Sequence, residues 1–305
     1  MAGLLDDPHT LSAVPAAAGE LDPPESPPPL DEPARARALL AGQPVLEGRT
    51  EFPAELDPED FPPVRAEEAG AQFWSVRVGP HEGVVGALRR IDAIRALVAA
   101  CPEDLRLAHT TTEVAAAVNH GRVAVLLGPV SADAIGGSLA TLRAYHALGV
   151  RAVTLAGFDR FVRDAVREMN RLGLAVDLSG AAPDTVREVL AVAKAPVLMT
   201  EADPESLPDD VLRLLGENGG VCMVPVAEDP AVTADVLDRV HTLAGPHGVG
   251  ISHPKDRAQG YVPLFAELLR RGWTAPDLVL LSHANATRAL RQTEFRSRAI
   301  RLRAA

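Results

Sequence analysis

Aromatic residues are scarce in this 305-residue chain, where two Trp, two Tyr and seven Phe make up 4%. Its core must therefore be built from Ala, Val and Leu. Lysine is almost missing, with only Lys194 and Lys255 beside many arginines. There are two cysteines, Cys101 and Cys222, too few for a disulfide framework in a chain of this size. Cys222, within the apolar run GVCMV, reads as an inert core thiol. No run of about 18 apolar residues occurs, so no membrane-spanning helix is expected. No charged-then-apolar leader opens the sequence, and a cytoplasmic location is the expectation. The formal net charge of −11 argues against nucleic acid and against an anionic membrane as partners. Neither a G-x-G-x-x-G dinucleotide loop nor a G-x-S-x-G nucleophile elbow is present.

What is there is 47% hydrophobic and organised as alternating strands and helices. Residues 1–33 hold eight of the 26 prolines, interspersed with acids. Such a stretch cannot bury enough apolar surface to order itself, so it reads as an arm preceding a domain at 34–305. A short helix is expected at Ala34–Ala41. Strands are expected near 44–47, 71–78, 122–127, 151–156, 174–178, 196–200, 220–225 and 248–252. Between most of them lie helices of roughly 10–17 residues by apolar spacing. The run from Phe158 to Leu172 is apolar at helical spacing and stops at Gly173. Asp184 and Ser206 are expected to cap the next two helices. VAVLLG and GVCMVPV are apolar throughout, as strands covered on both faces should be. Eight such units in about 220 residues point to an α/β fold, a closed (β/α)8 barrel of TIM type, with a doubly wound open sheet as the runner-up. In a barrel of this kind the chemistry sits at the carboxyl ends of the strands.

Those strand ends carry a family resemblance. PVLEGRTEFP (44–53) resembles P-V-x-D-G-H-N-D-L-P of the membrane (renal-type) dipeptidases, and AQFWSVRV (71–78) their Q-F-W-S-V-Y-V strand. GALRRIDAIRALVAACPEDLRLAHT (86–110) is similar to their second helix. VREMNRLGLAVDLSG (166–180) resembles R-E-M-N-R-L-G-x-x-V-D-L-S-H. LPDDVLRLLGENGGVCMV (207–224) and LLRRGWTAPDLVLLSHANATRAL (268–290) fit as well, in the family's order. The resemblance implies a metallo-dependent-hydrolase-like barrel. It also implies two zinc ions held by histidines, an aspartate and a bridging glutamate, and a zinc-bound hydroxide that attacks a dipeptide.

Residue by residue, this sequence departs from that pattern. The first His-x-Asp pair of the resemblance falls on Arg49 and Glu51, and arginine has no lone pair for a metal. The bridging glutamate falls on Val130, the histidine of D-L-S-H on Gly180, and the next histidine on Glu201. The substrate-gripping arginine falls near Glu205, a reversal of charge, and the catalytic aspartate near Pro254, with Asp256 two residues away. The loop after the fourth strand is short: VTLAG runs almost directly into FDRFVRDAV. Glu47, Trp74, Arg77, Asp177, His253 and Asp256 complete the pocket candidates. The remaining histidines have no nucleophile–base partner in the pattern.

These losses imply a catalytically silent dipeptidase-like barrel with no metal cofactor, one that acts by binding a small peptide-like ligand or a protein. The resemblance adds a homodimer, or a heterodimer with an active relative, as the expected assembly. Two alternatives stand beside this reading. One is an active dipeptidase with a rebuilt one-zinc site from Glu51, Glu201, His253 or Asp256. The other is a structural module whose arm recruits a partner. Loss of two zinc ions removes about four positive charges from the barrel mouth. Arg49 is therefore expected to stand in as an internal cation, paired with Glu201, Glu51 or both. The basic stretch Arg296–Arg303 reads as a solvated helix end.

Overall fold

The computed structural model describes residues 31–51, 69–79, 81–254 and 260–304. The first helix, α1 (Glu32–Ala41), begins two residues earlier than expected because Asp31 caps it, accepting from the Ala34 amide at 2.8 Å. Then follow β1 (Leu46–Glu51), β2 (Ala71–Val76), α2 (Gly83–Ala100), β3 (Leu105–Leu107), α3 (Thr111–Asn119), β4 (Val123–Val130) and α4 (Leu139–Ala147). The alternation continues through β5 (Ala152–Thr154), α5 (Arg160–Leu172), β6 (Ala175–Asp177), α6 (Pro183–Val192), β7 (Leu198–Met199) and α7 (Asp209–Glu217). It ends with β8 (Val221–Val226), α8 (Pro230–Ala244), β9 (Val249–Pro254), α9 (Val262–Arg270), α10 (Ala275–Val279) and α11 (Asn285–Ala304).

The sheet runs β1-β2-β4-β5-β6-β7-β8-β9, and among the described residues every pairing is parallel with no reversal of order. A doubly wound sheet would turn back on itself at a switch point; this one instead curls until β9 meets β1. The oxygen of Arg49 on β1 accepts from the Ser252 hydroxyl at 3.2 Å and lies 2.7 Å from His253 Nδ1 on β9. The result is a nearly closed barrel of eight parallel strands with helices outside. The short β3 is a ninth strand beside the start of β4 and lies off the barrel path.

Side-chain alternation sorts the apolar residues into two cores. Leu46, Phe73, Leu126 and Met223 point into the barrel with the alanines Ala71, Ala124, Ala152 and Ala175. Ala286, Ala289 and Leu290 of α11 join the same cluster, so the last helix stops the amino-terminal end of the barrel. The larger core, with Trp74, Ile94, Leu127, Val153 and Leu215, fills the layer between strands and helices. Small residues inside and branched aliphatics outside make a packed barrel with few aromatics.

Local signals acted as expected at Gly173, which ends α5 in a left-handed conformation (φ 85°), but not at the next two helix starts. Proline sets both instead: Pro183 opens α6, leaving Asp184 within the first turn, and Pro208 precedes α7, leaving Ser206 in a separate 3-10 turn.

Candidate functional site

β1 is irregular where it enters the barrel mouth. Leu46 and Glu47 pair with Ala71 and Gln72, but Arg49 pairs with Phe73, so Gly48 is an extra residue in the strand. The bulge turns Arg49 to the same side as the inward-facing Phe73. It also brings β1 against the end of β7, where the Arg49 amide donates to the Thr200 carbonyl at 2.7 Å. Only glycine fits at position 48, because a Cβ there would lie 2.0 Å from that carbonyl oxygen.

From this position the Arg49 side chain, 13% exposed, reaches three strand ends. Nη2 donates to Asp177 Oδ2 at 3.1 Å and to Thr154 Oγ1 at 3.1 Å. Nη1 donates to Glu201 Oε2 at 3.4 Å. Asp177 is fully buried and accepts five hydrogen bonds, from Arg49, Thr154, Ser179 and the amide and hydroxyl of Thr200. A carboxylate can be removed from water this completely only when a cation and several donors replace its hydration. Ser179 extends the network by accepting from the Glu201 amide at 3.0 Å. Arg49 Nε is buried with no partner among the described residues.

The expected pairing of Arg49 with Glu201 is present, but Glu51 pairs with Arg77 at the surface instead. The chief counter-ion, Asp177, was foreseen only as a pocket residue. Neither Thr154 nor Thr200 is singled out as a site residue by the sequence pattern, although one ends a strand run and the other immediately follows one, which is the one signal the sequence offers. Glu47 and Trp74 are corrections: both lie behind the sheet rather than in the mouth. Glu47 is buried against the Gln72 amide (2.8 Å) and the Tyr261 hydroxyl (2.6 Å), and the Trp74 indole donates to the Gln72 oxygen (2.8 Å). Their odd spacing from the inward-facing Leu46, Ala71 and Phe73 puts them on the helix side.

Val130 ends β4 fully buried in the outer apolar core. Gly180 sits just past β6 at φ 72°, a conformation that disfavours any histidine there. Glu205 is exposed in its 3-10 turn, and Pro254 closes β9. His253 is half-buried, with Nδ1 on the Arg49 carbonyl. Asp256 lies outside the described residues.

This donor set does not fit the zinc pair that the resemblance implies. Among the described residues, no three His, Cys, Asp or Glu side chains converge where they could hold a metal ion. Glu201 and Asp177 have oxygen donors, but both face a guanidinium, whose fixed charge opposes a divalent cation in the same place.

The profile of "Membrane dipeptidase (Peptidase family M19)" matches residues 33–160 and 155–304. Mouse dipeptidase 3 is 32% identical over 278 residues, covering 74% of this chain and 56% of its own length; the chain thus spans about half of that relative. The dipeptidase aclJ of Aspergillus oryzae is 32% identical over 300 residues, covering 79% and 71%. Among solved structures, the probable dipeptidase PvdM from Pseudomonas aeruginosa superposes with a TM-score of 0.76 at 17% identity, over 87% of this chain and 99% of that one. A metallopeptidase from Rhodobacter sphaeroides liganded with a phosphinate mimic of L-Ala-D-Ala gives 0.70 at 18%, over 82% and 99%. These structural likenesses speak to the barrel, and the sequence matches to its ancestry. The chain belongs to the membrane dipeptidase family, peptidase family M19.

Proposed function

We propose that this protein is a catalytically silent member of its family that acts by binding. The observation carrying the proposal is Arg49, which lies at the strand-end centre between Asp177 and Glu201, where the family resemblance places a metal-binding histidine. A guanidinium supplies positive charge to those carboxylates but has no open coordination position and cannot activate water. The ligand class is a small peptide-like molecule. Glu201, 34% exposed beside Arg49, is the carboxylate that the amino group of such a molecule would meet.

The test is hydrolysis of L,L- and L,D-dipeptides by the purified protein, with zinc added and with chelator. The proposal expects no turnover above background in either case. Turnover that follows the protein peak through purification and disappears with chelator would instead establish a rebuilt metal site.

A further inference from the structure

The last helix carries a second pattern, unrelated to the strand-end site. Its inner face is conventional: Ala286, Ala289, Leu290, Thr293 and Ser297 are buried against the barrel. Its outer face is not. Phe295 is 66% and Leu302 81% exposed, seven residues apart and on the centre line of the solvent side. Arg291 and Arg298 alternate with them at spacings of four and three, and Arg296, Arg301 and Arg303 flank the line. Residues 285–304 contain six arginines and one acid, Glu294, in a chain whose net charge is −11. Arg298 reaches Glu294 at 3.6 Å, while Arg291, Arg296, Arg301 and Arg303 have no ion pair among the described residues.

We propose that the outer face of α11 is a docking surface for an acidic, helical segment of another polypeptide. The seven-residue spacing of the two apolar side chains is that of a helix–helix seam, and the flanking arginines lie where a partner's acidic residues would pair across it. Charge selects the occupant. Two copies of α11 laid together would oppose arginine with arginine. A bilayer is a poorer fit, since two apolar side chains offer little area to bury and the body of the protein is acidic.

The probe is a fluorescein-labelled peptide with Leu and Glu at heptad spacing, titrated with the full chain and followed by anisotropy. Saturable binding is expected, weakening steeply as salt shortens the Debye length. The pair Phe295→Ser with Leu302→Ser, and separately the pair Arg291→Glu with Arg298→Glu, should each weaken it at least about tenfold, or about 1.4 kcal/mol. All four positions are solvent-facing, so an unchanged melting temperature separates lost binding from lost folding. The proposal is overturned by absence of binding, by equal binding of the variants, or by equal binding of a Lys-for-Glu peptide. Stronger association with phosphatidylserine vesicles than with the peptide also overturns it.

Discussion

Arg49 is the residue on which the site turns, because it is the cation that lets Asp177 stay buried. Arg49→Ala should destabilise the protein by about 3–5 kcal/mol, the usual result of leaving a buried carboxylate uncompensated. Arg49→Met combined with Asp177→Asn should cost less than Arg49→Met alone, since the orphaned charge goes with its partner. Glu201→Gln should cost under about 1 kcal/mol: Glu201 is 34% exposed and its 3.4 Å contact with Arg49 is loose. Chemical denaturation of the four variants checks this order, and an Arg49→Ala protein that unfolds like wild type contradicts it. The two cysteines give a second contrast. Burial pushes the Cys222 thiol up to about 12, whereas Cys101 is only half-buried. A thiol reagent at pH 8 should label Cys101 in the native protein and Cys222 only after unfolding.

At the scale of elements, the bulge in β1 is what delivers Arg49. Gly48→Ala should cost about 2–4 kcal/mol, because its methyl group collides with the Thr200 carbonyl and the strand must give up the bond to β7. Gly42→Ala is the control: a Cβ there meets only ordinary contacts at 3.7 Å and beyond, so its stability should stay close to wild type. The helix layer offers a pH test. Glu168 on α5 accepts from Arg171 on the same helix and Arg143 on α4, and these hold its carboxyl down at about 2 against an ordinary 4.5. A depressed carboxylate stabilises the fold above its unfolded pKa, and that contribution is lost as pH falls from about 4.5 through about 2. Glu168→Gln should therefore lower stability at pH 7 and flatten the acid limb in that window. Urea midpoints across pH measure it, and an unchanged slope would show that the pair contributes nothing.

These elements also show where a sequence stops being informative. Most of the barrel strands were legible because they are apolar runs followed by helical spacing; β1, LEGRTE, is mostly polar and runs over Leu46–Glu51 rather than the expected 44–47. β3 was not legible, since its three residues, LRL, come just after the turn at residues 101–104 that ends α2, and they are a strand only through their bonds to β4. Asp184 and Ser206 suggested caps, yet neighbouring prolines decided those helix starts. At the site, the loss of metal charge pointed to Arg49 and Glu201. The prominence of Asp177 depends on the Gly48 bulge and on contacts across the barrel, which no local pattern encodes.

For the whole molecule, ancestry and chemistry point in different directions. The family profile spans residues 33–304, and the barrel superposes on a probable dipeptidase and on a metallopeptidase. Within that shared frame, Arg49, Val130 and Gly180 occupy positions that the resemblance assigns to metal ligands, and none of the three can bind zinc. The most direct measurement is elemental analysis of the full chain, produced with zinc in the medium and freed of loosely bound metal by gel filtration. The account predicts well under one zinc per chain. One or two tightly held zinc ions per chain would contradict it.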